Sequence, residues 1–561
     1  MFFKLRTVIF FFILLNLVVL TGNNVEAQIK DYGKALTEIL KVKPDTIYIE
    51  KAEEIIEEPE EPDMKSFNMK LKDCIILAIH NNYDIKIAKL EPMITENDIT
   101  VARSVFDPVF IASGETAKNE TPSNSGVLLG ATTGGDPGRY KQDTNTIDAS
   151  LEKLFSTGTI FTLEFNIERA NVDPVSAFTL KNPVTEGYIE AKITQPLLRN
   201  AGIFYNKSEI YIARNNKEKS VLELKEATID VINSVQTAYW ELVKTVEELR
   251  VRKKSLESAE DLLRKNKIQA KVGTLAPIEV LVAEDGVANK MNDIIETENN
   301  IKNREDDLKL IMNLSNHSSF SDVAIIPSDQ ASFTITDVTL DESIKNALAN
   351  RPELFKQSLD IANARITVKQ KRNELLPTLD AEAGIRYNGL SNTYGNAADS
   401  IFSEDFQSQF FGLALEVPIG NREARSNYSM AKLDARQSVL SKKRLEQEII
   451  VEVRTAVREI KKNAESIKAT EKARELALER LEAEEKKFKV GRSTSLEVLR
   501  AQDNLTIAEG KAVNALVNYQ ISIGDLDAKM GTILENNNII IEDDDFVVKS
   551  RKLTSGEFHN N

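Results

Sequence analysis

The sequence predicts a mostly α-helical chain with a β part, organised as two tandem repeats of long, coiled-coil-like helices plus β-strands. Three observations predict it. First, a turn motif occurs twice: residues 271–283 read KVGTLAPIEVLVA and residues 488–501 read FKVGRSTSLEVLRA. Gly273 and Gly491, Glu279 and Glu497, Leu281 and Leu499, and Ala283 and Ala501 are each 218 positions apart by subtraction. A spacing shared across half a chain marks an internal repeat. Second, the hydrophobic period changes from helical to two and back again in each half. Third, 28% of the residues are charged and only 6% aromatic, which suits long amphipathic helices better than several globular cores.

Residues 1–27 carry basic Lys4 and Arg6, an apolar run over 8–20 and small residues at Val25 and Ala27. This pattern predicts a signal peptide cleaved after Ala27. The run is too short to span a bilayer comfortably, and no cysteine follows it to carry a lipid. No other long apolar run exists, so the mature chain is predicted either to be soluble or to cross a membrane as β-strands. Residues 28–64 are acidic, proline-bearing and poor in large apolar groups, and read as an extension with no assigned activity. The whole chain has a net charge of −15, a poor match to nucleic acid. Cys74 is the single cysteine, so neither a disulfide framework nor a cysteine metal site can form within one chain. It falls on the apolar face of a predicted helix and is expected in the core. His80, His317 and His559 are scattered without ligand spacing, so no metal or cofactor is predicted.

The first repeat is predicted over 65–315. Leu71, Cys74, Ile75, Ala78 and Ile79 line one helical face, Asn81 and Asn82 break it, and a second helix starts near Asp84. Phe106-Asp107-Pro108 stops that helix, because proline disfavours α geometry in the residue before it. A linker over 316–339 separates the second repeat, 340–534, which opens the same way. Leu340–Leu348 repeats the apolar face, Asn350-Arg351-Pro352 is the break and Leu375-Leu376-Pro377 the stop.

After each stop the period becomes two. Phe161, Leu163, Phe165 and Ile167 alternate with Thr162, Glu164, Asn166 and Glu168. Leu379, Ala381, Ala383, Ile385 and Tyr387 do the same in the second half, as do Phe411, Leu413, Leu415 and Val417. Alternation gives a strand one apolar and one polar face. That fits a sandwich facing a core, or a barrel with lipid outside and water inside. Strands are predicted at about 108–117, 146–155, 159–169 and 187–195 in the first half, with Ser156-Thr157-Gly158 as a turn, and within 377–418 in the second. Gly/Ser/Asn/Thr-rich loops are expected at 119–144 and 388–403.

Gln195-Pro196-Leu197 and Val417-Pro418-Ile419 then open the long helices, predicted over about 208–271 and 424–489. Val231, Val235, Ala238, Leu242, Val246 and Leu249 step by three and four, as do Ile449, Val453, Ala456, Ile460, Ala464 and Ile467. These seams resemble coiled coils. About 65 residues at 1.5 Å each span roughly 100 Å. The returning helices, about 277–314 and 495–533, reach roughly 60 Å, and the shorter helices near Asp84 and Glu353 add about 30 Å each. A long helix therefore lies beside a stacked pair. At the turn between long and returning helices, Gly273 and Gly491 reach the left-handed conformation that ends a helix. Thr494 or Ser495 is placed to cap the return, Thr274 is the cap candidate in the first copy, and Pro277 suits a first helical turn. The tail, 535–561, is polar, and Asp543-Asp544-Asp545 lacks calcium-loop spacing.

Two such copies of strands, long helix, Val-Gly turn and Val-Leu-x-Ala return resemble the TolC family of outer-membrane efflux proteins, over about 71–533. The resemblance implies a homotrimer whose strands close an outer-membrane β-barrel in contact with lipid, continued by a periplasmic α-helical tunnel. It implies a periplasmic adaptor and an inner-membrane transporter as partners. It also implies two barrel strands per repeat, whereas the first half here offers four. By the same resemblance Glu497 falls on an acidic pore-constriction position, where a three-fold ring would favour cations. Arg500 falls where a second acid is expected and is placed to pair with Glu497 instead. Val272, Gly273 and Thr274, with Val490, Gly491 and Thr494, match the tip turns that adaptors contact. The function implied is a passive exit duct for small molecules or secreted protein. No phosphate-binding GxxxxGK[ST] loop is present to supply energy. A periplasmic adaptor, the alternative, would have one hairpin rather than two in tandem. A secreted enzyme would need a Ser/His/Asp, Cys/His or metal-ligand group, and none is visible.

Overall fold

The computed structural model describes residues 66–123, 138–173, 175, 179–314, 323–334, 338–403, 405–542 and 547–550. The predicted signal peptide, the acidic extension and parts of the linker and tail lie outside the described residues. In chain order the elements are β1 (Ser66–Met69), α1 (Leu71–Asn81), α2 (Tyr83–Ser104), β2 (Val109–Ser123), β3 (Gly138–Leu154), β4 (Ile160–Asp173), β5 (Val184–Pro196), α3 (Ile203–Asn206), α4 (Ser208–Lys271) and α5 (Pro277–Ile311). There follow β6 (Ala324–Pro327), α6 (Leu340–Asn350), α7 (Pro352–Asn373), β7 (Thr378–Ser391), α8 (Tyr394–Phe402), β8 (Gln407–Glu416), α9 (Arg422–Lys489), α10 (Ser495–Met530), α11 (Ile533–Asn536), β9 (Ile539–Glu542) and β10 (Val547–Ser550). They fall into two units. One comprises Thr100–Ile210 and Thr367–Ala431, and the other Glu61–Ile99, Tyr211–Ile366 and Lys432–Asn561.

In the second of these units the helices bury the stripes expected of them. Along α4, Leu224, Ile232, Val235, Tyr239 and Leu242 are fully buried and pack with Cys74, Ile75, Leu308 and Met312. Along α9, Ile449, Val453, Ala456 and Ile460 pack with Ala347, Leu354, Ala515 and Tyr519. The break at Asn82 has a double purpose. Its Oδ1 accepts from the Asp84 and Ile85 backbone N–H groups at 2.8 and 3.2 Å, capping α2, and its Nδ2 donates to the Ile311 carbonyl at 2.8 Å. At the matching break in the second half, Pro352 starts α7 where a missing N–H costs nothing. Asp329 ties α1 to α4: its Oδ2 accepts from Leu71 N at 2.8 Å and from the Tyr239 hydroxyl at 3.0 Å. Cys74 is 0% exposed, as expected of a core residue. Burial, with Asp73 and Asp329 nearby, pushes its thiol up to about 12, so it has no thiolate to offer at neutral pH.

The other unit is built on one antiparallel meander in the order β2-β3-β4-β5-β7-β8. All four strands expected in the first half are present, and the second half adds two, so six strands share one sheet. Register aligns the two-residue period across it. On one face lie Ala112, Ala149, Phe165, Ile189 and Tyr387, and beside them Leu151, Leu163, Ala191 and Ile385. The opposite face is polar and internally paired. The Tyr188 hydroxyl donates to Glu164 Oε1 at 2.6 Å, Arg386 Nε to Glu190 Oε2 at 2.5 Å and Asn166 Nδ2 to Asp148 Oδ1 at 2.6 Å, while Lys192 pairs with Glu382 at 3.2 Å. The turn expected at 156–158 is a tight hairpin, with Gly158 at φ +93 and Phe155 N donating to the Thr159 carbonyl at 2.8 Å.

One expectation for this unit is corrected. The loop expected over 388–403 contains a helix, α8, which is capped by Thr393 and buries Ala397 and Ile401 against Phe165 and Ile167 on the apolar face. Gly187 and Gly389 clear its seat: a Cβ on Gly389 would lie 2.7 Å from Ile401 Cγ1. The strands flanking the other expected loop run further than the sequence pattern indicated, to Ser123 and from Gly138, and 124–137 lie outside the described residues.

Candidate functional site

The two Val-Gly turns lie in the helical unit and are built alike. At the end of α4, Thr274 N donates to the Gln269 carbonyl at 2.9 Å and Gly273 N to the Ala270 carbonyl at 3.1 Å. At the end of α9, Arg492 N donates to the Lys487 carbonyl at 2.9 Å and Gly491 N to the Phe488 carbonyl at 3.0 Å. Both are Schellman endings, which require a left-handed residue at the glycine, and φ is +80 at Gly273 and +73 at Gly491. Val272 and Val490 are 72% and 70% exposed, too open to be explained by packing within this chain.

The starts of the returning helices differ. Thr494 caps α10 as expected, its Oγ1 accepting from Glu497 N at 3.4 Å. Thr274 does not cap α5. Its hydroxyl bonds back to the Gln269 carbonyl at 3.1 Å, and the N-cap position is Ala276, with Pro277 in the first turn. The two turns are equally long, Gly273 to Pro277 and Gly491 to Ser495, so Ala276 holds the place of Thr494, while Thr274 lies two residues before that cap position and out of reach of the α5 amides.

The structure joins the two turns through residues whose role the sequence did not expose. Ser495 N donates to Glu279 Oε2 at 2.8 Å, so a carboxylate on α5 sits at the start of α10. Negative charge is stabilising there, because the first amides of a helix are unpaired and positively polarised. Asn266 of α4, 0% exposed, donates from Nδ2 to Ser495 Oγ at 2.7 Å and to the Glu279 carbonyl at 3.1 Å. Below this latch, Leu262, Leu481, Val498, Leu499 and Leu505 form an apolar cluster. Gly286 admits Leu499, since a Cβ there would come within 2.8 Å of Leu499 Cδ2. Lys290 of α5 pairs with Asp503 of α10 beside it.

Glu279 and Glu497 occupy equivalent places in the two sequence motifs but have different partners. Glu497 is paired on its own helix: Arg500 Nη1 lies 2.7 Å from its Oε1, an i,i+3 contact with the two side chains 45% and 62% exposed. The pairing read from the sequence is present. No group in this region is arranged for covalent or acid–base chemistry. It holds two exposed turns, an exposed ion pair and a buried latch.

A family model described as "Outer membrane efflux protein" matches residues 175–314 and 343–532. Among curated proteins, the outer membrane protein TolC of Vibrio cholerae is 24% identical over 315 residues, covering 55% of this chain and 69% of its own length. Nodulation protein T of Rhizobium leguminosarum is 21% identical over 316 residues, covering 55% and 65%. TolC of Escherichia coli is 24% identical over 315 residues, covering 55% and 62%. Among solved structures, CusC superimposes with a TM-score of 0.59 at 15% identity, covering 83% of this chain and 93% of that one. The CmeC outer membrane channel of Campylobacter jejuni gives 0.57 at 17%, covering 82% and 86%. The OprN outer-membrane channel gives 0.59 at 13%, covering 82% and 90%. At these identities the likeness to solved structures establishes the fold.

Proposed function

The chain belongs to the outer membrane efflux protein family, and on that premise we propose that it is the passive exit duct of a tripartite efflux or type I secretion system. As a member of this family it resides in the outer membrane with a periplasmic helical extension. In this reading it assembles as a homotrimer, receives cargo through a periplasmic adaptor from an inner-membrane transporter, and performs no catalysis itself. The observation that carries the reading is the sheet. One face carries an apolar band, with polar residues such as Lys118, Asp143 and Arg169 towards one end of the strands, and the other face is charged and hydrogen-bonded, as a wall between lipid and water requires. The reading of two tandem repeats is supported by paired element lengths. α1 and α2 have 11 and 22 residues, as do α6 and α7, while α4 and α5 have 64 and 35 against 68 and 36 in α9 and α10.

The tip turns, Val272-Gly273-Thr274 and Val490-Gly491 with Thr494, are proposed as the adaptor-contacting surface, on the strength of their two exposed valines. Glu497 and Arg500 are proposed as the pore constriction, where pairing makes each copy's contribution close to neutral. One set of variants tests both roles. Gly491→Val places a β-branched residue at positive φ, straining the turn by about 1–2 kcal/mol without a clash, since nothing lies within 4 Å of the added Cβ. Adaptor-dependent export should fall at least several-fold while outer-membrane assembly is unchanged; wild-type export would remove the tip from the account. In planar bilayers, Glu497→Gln leaves Arg500 unopposed and should move the reversal potential towards anion selectivity. An unmoved potential would take the pair out of the pore.

A further inference from the structure

We propose that β2 of one copy pairs with β8 of the next, so that all six strands of each chain, the β2–β3 hairpin included, enter a closed barrel. With three copies this makes a barrel of eighteen strands, six from each chain. The inference rests on the outer-membrane duct reading above, but the strand count and the seam come from the sheet itself.

Among the described residues β2 pairs only with β3, and β8 only with β7, so each leaves one edge of backbone unpaired. In hydrocarbon no water can satisfy those groups, and each unpaired N–H or C=O costs several kcal/mol. β8 is ten residues long, so its free edge presents roughly five donors and five acceptors. An edge of that kind must be covered by another edge.

Four features identify the cover as the β2 edge of a second copy. The meander has an even number of strands, so β2 and β8 run in opposite directions and a copy related by rotation brings them together antiparallel. Apolar side chains of the same face reach both edges: Phe110 and Ala112 on β2, and Phe411, Leu413 and Leu415 on β8, where Gln407 and Gln409 are the polar members of that face. Phe411, Leu413 and Leu415 are 73%, 63% and 65% exposed, so nothing in this chain covers them. The β2–β3 register runs unbroken through fifteen pairs, from Val109↔Glu152 to Ser123↔Gly138, and β3–β4 continues it, so the hairpin is part of the wall and does not fold over it.

Closure of one chain on itself is the competing geometry. Barrel diameter grows with strand number, and about eight strands leave room only for side chains. Six would have to pack Glu164, Glu190, Lys192, Glu382 and Arg386 into a narrower interior still. Eighteen strands leave an aqueous channel of porin width, which those residues would line.

The test is inter-chain disulfide formation in full-length protein assembled in outer membranes. Ala112→Cys is combined in turn with Phe411→Cys, Leu413→Cys and Leu415→Cys, then oxidised and run denatured without reductant. Native Cys74 is fully buried and stays in place. At least one pair should convert more than half of the chain to a ladder ending at three chain masses. Pairs of opposite parity, Ala112→Cys with Gly412→Cys or Ala414→Cys, should give less than a tenth of that. Ser113→Cys with Gly412→Cys or Ala414→Cys repeats the test on the polar face should the first set fail to assemble. Linkage of Leu163→Cys to Leu413→Cys would put the seam at β4 and exclude the β2–β3 hairpin, overturning the proposal. So would the absence of any β2–β8 linkage in protein that still has a native mass of three chains, which leaves the duct reading standing. A native mass of one chain would take down both.

Discussion

Arg351→Met should destabilise the helical unit by about 3 kcal/mol, near the lower end of the range for opening a buried ion pair. Arg351 is the junction between α6 and α7. Its Nε donates to both Glu353 carboxylate oxygens at 3.2 Å, its Nη2 to Glu353 Oε1 at 2.5 Å, and its Nη1 to Glu452 on α9. The Arg351 and Glu353 side chains are 14% and 21% exposed. Methionine fills the same volume but leaves Glu353 charged and half-buried without its side-chain ion-pair partner, and that desolvated carboxylate is the source of the cost. Glu452 is 43% exposed, so water screens its share. The measurement is chemical unfolding followed by the fluorescence of Trp240, the only tryptophan, which lies in this unit's core. Arg351→Met with Glu353→Gln should recover part of the loss. A loss under about 1 kcal/mol would class the pair with ordinary surface ion pairs.

The same junction has a pH signature. Burial pushes the Glu353 carboxyl up, but hydrogen bonds and charge from Arg351 outweigh it and hold the group below its ordinary value. A carboxyl depressed in the folded state contributes stability above its unfolded pKa, about 4.3, and that contribution is lost as pH falls through the folded value. Without Arg351 burial is opposed only by a backbone hydrogen bond and the charge of Lys356, so in Arg351→Met the acid-side loss should begin at higher pH than in the wild type.

Leu163→Arg should cost about 2–4 kcal/mol of barrel stability, the value for a cation on a lipid-facing strand near the midplane. Leu163 stands in the middle of the apolar face, opposite Leu151 on β3 and Ala191 on β5. No acidic residue lies beside it on that face. Thr194→Arg is the control. It lies on the polar face opposite Glu382, where a guanidinium gains a partner. Refolding of both variants into lipid vesicles, read as the fraction resistant to denaturation by detergent at room temperature, should separate them by a factor of ten or more. Equal behaviour would mean that the apolar face does not meet lipid.

Much of this was legible because the controlling interactions are local or periodic. Alternation at Phe161–Ile167 and Leu379–Tyr387 needs only a two-residue period. Gly273 and Gly491 end helices through bonds reaching back five residues. The pairing of Arg500 with Glu497 spans three positions on one helix. What was missed depends on distant partners. α8 is nine residues long, too short for a helical period to stand out. It forms because Ala397 and Ile401 find a seat cleared by Gly187 and Gly389. Glu279 at the head of α10 is a contact across 216 positions. The motif places it level with Glu497, which is a reason to expect a role but not to foresee a different partner. Thr274 failed as a cap for a local reason: two further residues, Leu275 and Ala276, separate it from Pro277.

The central claim is that the part of the apolar sheet face not covered by α8 meets lipid and that the two open edges pair with other copies of the chain in an outer membrane. Native mass measurement on protein extracted from fractionated membranes tests it most directly. The account predicts recovery in the outer-membrane fraction at three times the mature chain mass, stable in mild detergent. A detergent-free, water-soluble species at one chain mass would contradict it.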